Sequence, residues 1–234
     1  MGLISELIGL FSKKTIEDKV EITPKITEQL KVLGLTESDH TYHVAIEALH
    51  KYSDEGVAAI KKWTEDCKRG GSTSYTILRV YGPKMVNSVV DRYGSKSSEY
   101  LWQIMPQVES LGLDTIDKIV EEYGLSNVRL IGPIYHELKE AQKKTNEKIK
   151  QYKIRFIGKV QDVGFRGTSE CYAELCGITG TVLNAGDGSV LCEAQGTDSM
   201  INVFILAMER NFEVRKVKKR ETELRYKADK FVSY

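Results

Sequence analysis

The strongest constraint on this chain is a change of hydrophobic period near residue 150. Ahead of that point apolar residues recur every three to four positions, the spacing of an amphipathic helix; beyond it they alternate, as along a strand. The sequence therefore divides into a helical domain over residues 1–150 and a mixed domain over 152–234, with a charged helix over 137–151 as the connector. The rarer residues divide the same way. All four prolines (Pro24, Pro83, Pro106, Pro133), all four histidines (His40, His43, His50, His136) and both tryptophans (Trp63, Trp102) precede residue 137. At 234 residues there is room for two modest domains.

In the first part, helix starts and stops are well marked. Ser53 suits the cap of a helix through VAAIKKWTEDCKR that Gly70-Gly71 ends. Pro83 suits the first turn of a helix stopping at Gly94, and Pro133 opens IYHELKEAQKKTNEKIK. Leu33-Gly34-Leu35, Leu111-Gly112-Leu113 and Tyr123-Gly124-Leu125 each put an apolar residue behind a glycine, which reads as a Schellman ending. Tyr52-Ser53, Tyr81-Gly82, Tyr93-Gly94 and Tyr123-Gly124 echo one another at irregular spacing, so the expectation is an irregular bundle or short helical array. Leu3, Ile4, Leu7, Ile8, Leu10 and Phe11 form a stripe suited to docking on the body or on a second copy, and a protein partner or self-association is expected through this domain. Trp63 and Trp102 fall at core positions. His40, His43, Glu47 and His50 share one stripe, but Tyr42, Ala45, Ile46 and Leu49 form the apolar face opposite. The histidines then occupy the wet side and no metal site is expected.

Charge narrows the partners. The chain has 34 Lys+Arg against 33 Asp+Glu, a net of +1, which gives no general attraction to nucleic acid or anionic membrane. The run Arg215, Lys216, Lys218, Lys219, Arg220 lacks aromatic interleaving and reads as a solvated strand face, so no nucleic-acid partner is expected. Cys67, Cys171, Cys176 and Cys192 form no C-x-x-C pair and read as small buried hydrophobes in a reducing compartment. With no long apolar run and no basic leader, the expected location is cytoplasmic, without membrane attachment.

The second part reads β-α-β-β-α-β with a short last strand, a ferredoxin-like arrangement that makes the whole chain α+β. YKIRFIGKV alternates with Tyr152, Ile154 and Phe156 on one face. A helix follows over 165–176, a strand over 178–183, a turn at Gly186-Asp187-Gly188, a strand over 189–195, a helix from Ser199 and two extended runs. The turn GKVQDVGFRG, residues 158–167, joins the first strand to the first helix. A glycine-bearing turn there collects backbone N–H groups at a helix N-terminus, where an anion is favoured. Arg166 brings a planar fork matched to phosphate or carboxylate. Asn184 ends the next strand, and neighbouring strands would bring its neutral amide, suited to holding a water, to the same edge.

These residues resemble the acylphosphatase family. Its first motif, G-x-V-Q-G-V-G-F-R, is matched by Gly158, Val160, Gln161, Val163, Gly164, Phe165 and Arg166, with Asp162 in place of a glycine. Its second, G-x-V-x-N-x-x-D-G-x-V, is matched by Gly180, Val182, Asn184, Asp187, Gly188 and Val190. Ala173, Leu175, Gly177 and the ending Phe231-Val232-Ser233-Tyr234 also fit. The resemblance covers the last third of the chain and leaves the first 150 residues unassigned.

The resemblance implies a hydrolase that splits small-molecule acyl phosphates into carboxylate and inorganic phosphate, without metal or other cofactor. On that basis Arg166 and the phosphate-binding loop residues Gln161, Asp162, Val163, Gly164 and Phe165 hold the phosphoryl group, and Asn184 positions the attacking water. The absence of histidine from residues 152–234 removes histidine-based nucleophilic routes from within the domain. Asp162 supports a second reading, an anion-binding or interaction module whose catalysis is weakened. A carboxylate about 5 Å from a phosphoryl charge costs about 3 kcal/mol at an effective dielectric of 20, and under about 1 if solvated.

Overall fold

The computed structural model describes residues 21–39, 41–67, 72–224 and 226–234. The apolar stripe over 3–11, His40 and the Gly70-Gly71 stop lie outside them, as do the side chains of Cys67 and Trp102. The described residues form two compact units, one ending at Arg129 and the other running from Leu130 to Tyr234.

The first unit is built from α1 (Pro24–Val32), α2 (Tyr42–Cys67), α3 (Ser72–Tyr93), α4 (Ser97–Leu111) and α5 (Leu113–Tyr123), and the short α6 (Val128–Ile131) spans the division. Thr23 caps α1, its hydroxyl accepting from the Ile26 N–H at 3.3 Å. Gly34 (φ 69°) folds the tail back as expected, Leu35 N–H donating to Leu30 O at 3.0 Å. Gly112 and Gly124 differ from that expectation. Their φ is positive, but ψ is 159° and 154°, which sends the chain directly into the next helical turn. Gly82 does the same inside α3, at φ 82° and ψ 166°, with Pro83 opening the second half. That region is open almost only to glycine, so the glycines act as single-residue joints between helices.

Ser53 is such a joint made without glycine. It breaks α2 at φ 47°, ψ −126°, and its hydroxyl accepts from Gln29 Nε2 at 3.2 Å. The core beneath holds Leu49, Ile60, Trp63, Leu78, Val86 and Ile104. His43 and His50 are exposed on the opposite side. Glu47 between them is ion-paired with Arg79, and the described residues contain no cluster suited to a metal ion. No helix of the described residues is long and apolar enough to cross a membrane.

The second unit holds α7 (Tyr135–Gln142), β1 (Lys150–Lys159), α8 (Phe165–Leu175), β2 (Thr179–Asn184), β3 (Val190–Gly196), α9 (Asp198–Asn211), β4 (Glu213–Thr222) and β5 (Phe231–Ser233). The sheet order is β4-β1-β3-β2-β5, all antiparallel except the short β5 beside β2. Tyr152, Ile154 and Phe156 are buried on the expected face, with Phe165, Tyr172, Phe204 and Met208 from α8 and α9 also buried.

The connector differs from its expectation in extent and in allegiance. Its helix stops at Gln142, well before residue 150, and the segment belongs to the second unit. Arg210 of α9 bonds Glu137 at 2.7 Å and the Pro133 carbonyl. Glu147 caps α9, accepting from Ser199 N–H at 2.9 Å and its hydroxyl at 2.6 Å. The Ser199 donors hold the Glu147 carboxyl below its usual range.

The strained joint supplies a test. Ser53→Gly relieves a positive φ that costs about 1 kcal/mol or more in a non-glycine residue, offset in part by the looser unfolded chain. Chemical denaturation should show a net gain of about 1 kcal/mol at most, and a loss would mean the Gln29 hydrogen bond outweighs the strain.

Candidate functional site

The site is placed by β3. Strands β1 and β2 are not the neighbours that their order in the sequence suggests; each is antiparallel to β3, which lies between. They therefore run parallel and end at one edge of the sheet. Val190 fixes the register, pairing with Phe156 on one side and Asn184 on the other. Two strand spacings, about 10 Å, separate those partners, and the segment after β1 spans the gap.

Both motifs open on glycines whose task is close approach. A Cβ on Gly158 (φ 153°) would stand 2.1 Å from the Glu213 carbonyl oxygen, and one on Gly180 (φ 139°) 1.9 Å from that of Glu193. Either contact would push neighbouring strands apart.

Residues 160–164 form the turn between β1 and α8. Asp162 (φ 59°) and Gly164 (φ 80°) are left-handed, and Gly164 is the N-cap of α8. Among the described residues, none of the backbone N–H groups of residues 161–164 donates a hydrogen bond to another backbone group. The first turn of α8 adds N–H groups that lack intrahelical acceptors. Unsatisfied donors ahead of a helix N-terminus make an anion cradle. Asp162 is exposed. Its left-handed backbone is one that aspartate tolerates better than most residues, so the conformational cost of replacing glycine is small.

The named side chains differ in their surroundings. Phe165 is 2% exposed, its ring 5.1 Å from that of Phe156 and 4.7 Å from that of Phe212. It anchors the start of α8 in the core, leaving only its backbone for a ligand. Gln161 turns its amide toward the β2–β3 hairpin, where Nε2 donates to Ala185 O and Ser189 O, each at 2.8 Å. Asp187 shapes that hairpin. Its Oδ1 accepts from Ser189 N–H at 3.1 Å and hydroxyl at 2.5 Å, and its Oδ2 pairs with Arg155 at 2.5 Å. The Ser189 donors, then Arg155, hold the Asp187 carboxyl below its usual range. Its aspartate-glycine-serine spacing is a legible turn signal, whereas nothing in the sequence pointed to the Gln161 tether.

Arg166 lies in the first turn of α8 and donates to the backbone oxygen of Tyr234. One turn on, Glu170 Oε1 accepts from Ser233 N–H at 2.8 Å. The end of β5 thus steadies the helix face that carries Arg166. Asn184 is exposed at the end of β2. Cys176 and Cys192 are buried as expected, whereas Cys171 lies on an outward face of α8 and is exposed; burial pushes the Cys176 thiol up to about 12 and raises that of Cys192 as well. Neither is suited to act as a thiolate nucleophile.

Residues 152–233 match the family model described as Acylphosphatase. The acylphosphatase of Ligilactobacillus salivarius is 44% identical over 61 residues, 26% of this chain and 68% of its own length. That of Lactiplantibacillus plantarum is 46% identical over 52 residues, 22% of this chain and 58% of its own. The crystal structure of acylphosphatase from Bacillus subtilis aligns at 27% identity and a TM-score of 0.35, covering 37% of this chain and 99% of that one.

Gln161→Leu keeps the side chain's bulk and removes both donors. Backbone amides of residues 161–164 should then exchange with solvent faster, and sulfate affinity should fall about tenfold, the worth of one to two net hydrogen bonds. Hydrogen exchange and calorimetric titration check this; unchanged values would mean that the tether does not shape the cradle.

Proposed function

Through residues 152–233 the chain belongs to the acylphosphatase family, and from that premise we propose that it hydrolyses small-molecule acyl phosphates to a carboxylate and inorganic phosphate. The observation carrying this reading is the unsatisfied run of N–H groups in residues 161–164, placed directly ahead of the helix that begins with Phe165 and Arg166. In the proposed mechanism those amides and the Arg166 guanidinium bind the phosphoryl oxygens and stabilise the charge on them as bonds change. Asn184 orients a water in line with the leaving carboxylate. The water oxygen bonds to phosphorus, the phosphorus–oxygen bond to the acyl group breaks, and the electron pair leaves on the carboxylate. The attacking water's protons end on phosphate or solvent. A carboxylate is a weak base and leaves without a proton donor, so positioning and charge stabilisation suffice.

The second reading, a module that binds anions without turning them over, rests on the charge of Asp162. Exposure works against it: a solvated carboxylate about 5 Å away costs under about 1 kcal/mol, less than tenfold in affinity. The wider proposal has the chain working in the cytoplasm, with the helical unit engaging a protein partner or a second copy.

Phosphate release from benzoyl phosphate in the presence of a chelator tests the assignment. Arg166→Ala and Asn184→Ala should each lower kcat/KM by at least about a hundredfold, the scale of one lost transition-state donor. Asp162→Gly should change activity by less than about tenfold. Full activity in either alanine variant contradicts the roles. Wild-type phosphate binding without turnover, with hydrolysis appearing in Asp162→Gly, favours the second reading.

A further inference from the structure

The basic run of β4 has no part in the catalytic site, yet its geometry is specific. The sheet buries Tyr152, Ile154 and Phe156 on the helix side, so Lys153 and Arg155 stand on the opposite face. In the β1–β4 register Lys153 lies directly across from Arg220, and Arg155 directly across from Lys218. Like charges facing each other across two strands destabilise a sheet. Lys153 and Arg155 are compensated, by Glu193 at 2.8 Å and Asp187 at 2.5 Å. Lys219, pointing to the other face, pairs with Asp198 at 2.8 Å.

Lys216, Lys218 and Arg220 pair with no acid among the described residues, and all three are exposed. Lysines on an edge strand protect it from pairing with other chains, which accounts for β4 but not for β1. That strand is flanked on both sides and has no edge to protect. The two columns border a hollow of about 780 Å³, with Lys218 and Arg220 on one wall and Leu183 and Leu191 on the other. Leu183 is 38% exposed and lines the hollow.

We propose that this hollow receives an extended acidic segment of a protein partner. Successive side chains of an extended chain point to opposite sides, and same-side residues recur about every 6.8 Å. Carboxylates at alternate positions then meet Lys218 and Arg220 in register, with Lys216 next along β4 beyond the hollow, while the aliphatic residues between them lie on Leu183 and Leu191. A single-stranded nucleic acid fits less well, since base binding on such a face relies on aromatic platforms and, among the described residues, no aromatic side chain lines the hollow.

The probe is a fluorescein-labelled peptide alternating glutamate and valine over eight residues, titrated into the full chain and followed by anisotropy. The wild type should bind it, and Lys218→Glu with Arg220→Glu should weaken binding at least about tenfold, as should Leu183→Ser with Leu191→Ser. Benzoyl phosphate hydrolysis and thermal melting should be unchanged in the charge variant, which keeps lost docking distinct from misfolding and from failure of the catalytic reading. Absent binding, or binding that neither double variant alters, overturns the proposal. Tighter binding of an oligouridylate of equal charge that the charge variant abolishes also overturns it, in favour of a nucleic-acid partner.

Discussion

Everything at the candidate site depends on β3 lying between β1 and β2 and running against both. That arrangement brings the ends of two strands, far apart in sequence, to one edge of one sheet. It also makes Val190 the shared partner of Phe156 and Asn184. The glycine at 180 is a consequence of it, because β2 passes too close to the Glu193 carbonyl of β3 for a Cβ; Gly158 meets the same limit on the other side of β1, against Glu213 of β4. Gln161 closes the arrangement by holding the β1–α8 turn against the β2–β3 hairpin.

The core and the loop are two sides of one constraint. Phe165 sinks among Phe156 and Phe212, and its burial fixes where α8 begins. Among the described residues, the N–H groups just ahead of that point donate to no other backbone group. The cradle proposed for an anion would then be a by-product of a well-packed aromatic cluster, held in place because a close-packed core resists small displacements. Asp162 belongs to this economy: its backbone takes the left-handed turn, and its carboxylate stays in water.

Much of this was legible in the sequence, for identifiable reasons. Period-2 alternation at Tyr152, Ile154 and Phe156 marked a half-buried strand, and the glycine-bearing turn after it marked a helix N-terminus. The strand order was harder, because alternation says which face a residue takes and not which strand lies beside it. Neighbouring strands were expected to bring Asn184 to the edge where β1 ends; β1 and β2 do end at one edge, with β3 between them. The connector misled for a related reason. Helical propensity over 134–150 is real, but Glu147 is drawn to the N-terminus of α9, a contact made across more than fifty residues. The joints at Gly112 and Gly124 were marked correctly as helix ends, while their ψ, which sets the direction of the next helical turn, leaves no sequence signature. Long-range bonds such as Arg166 to Tyr234 are likewise visible only in the folded chain.

The central claim is that the backbone amides around residues 161–165 bind a phosphoryl group with the help of Arg166. Titrating inorganic phosphate into isotopically labelled full-length protein and following amide resonances addresses it directly. The account predicts saturable shifts concentrated at Gln161, Asp162, Val163, Gly164 and Phe165, lost in Arg166→Ala. Shifts centred instead on the basic face of β1 and β4, or shifts at the loop that persist in Arg166→Ala, would contradict it.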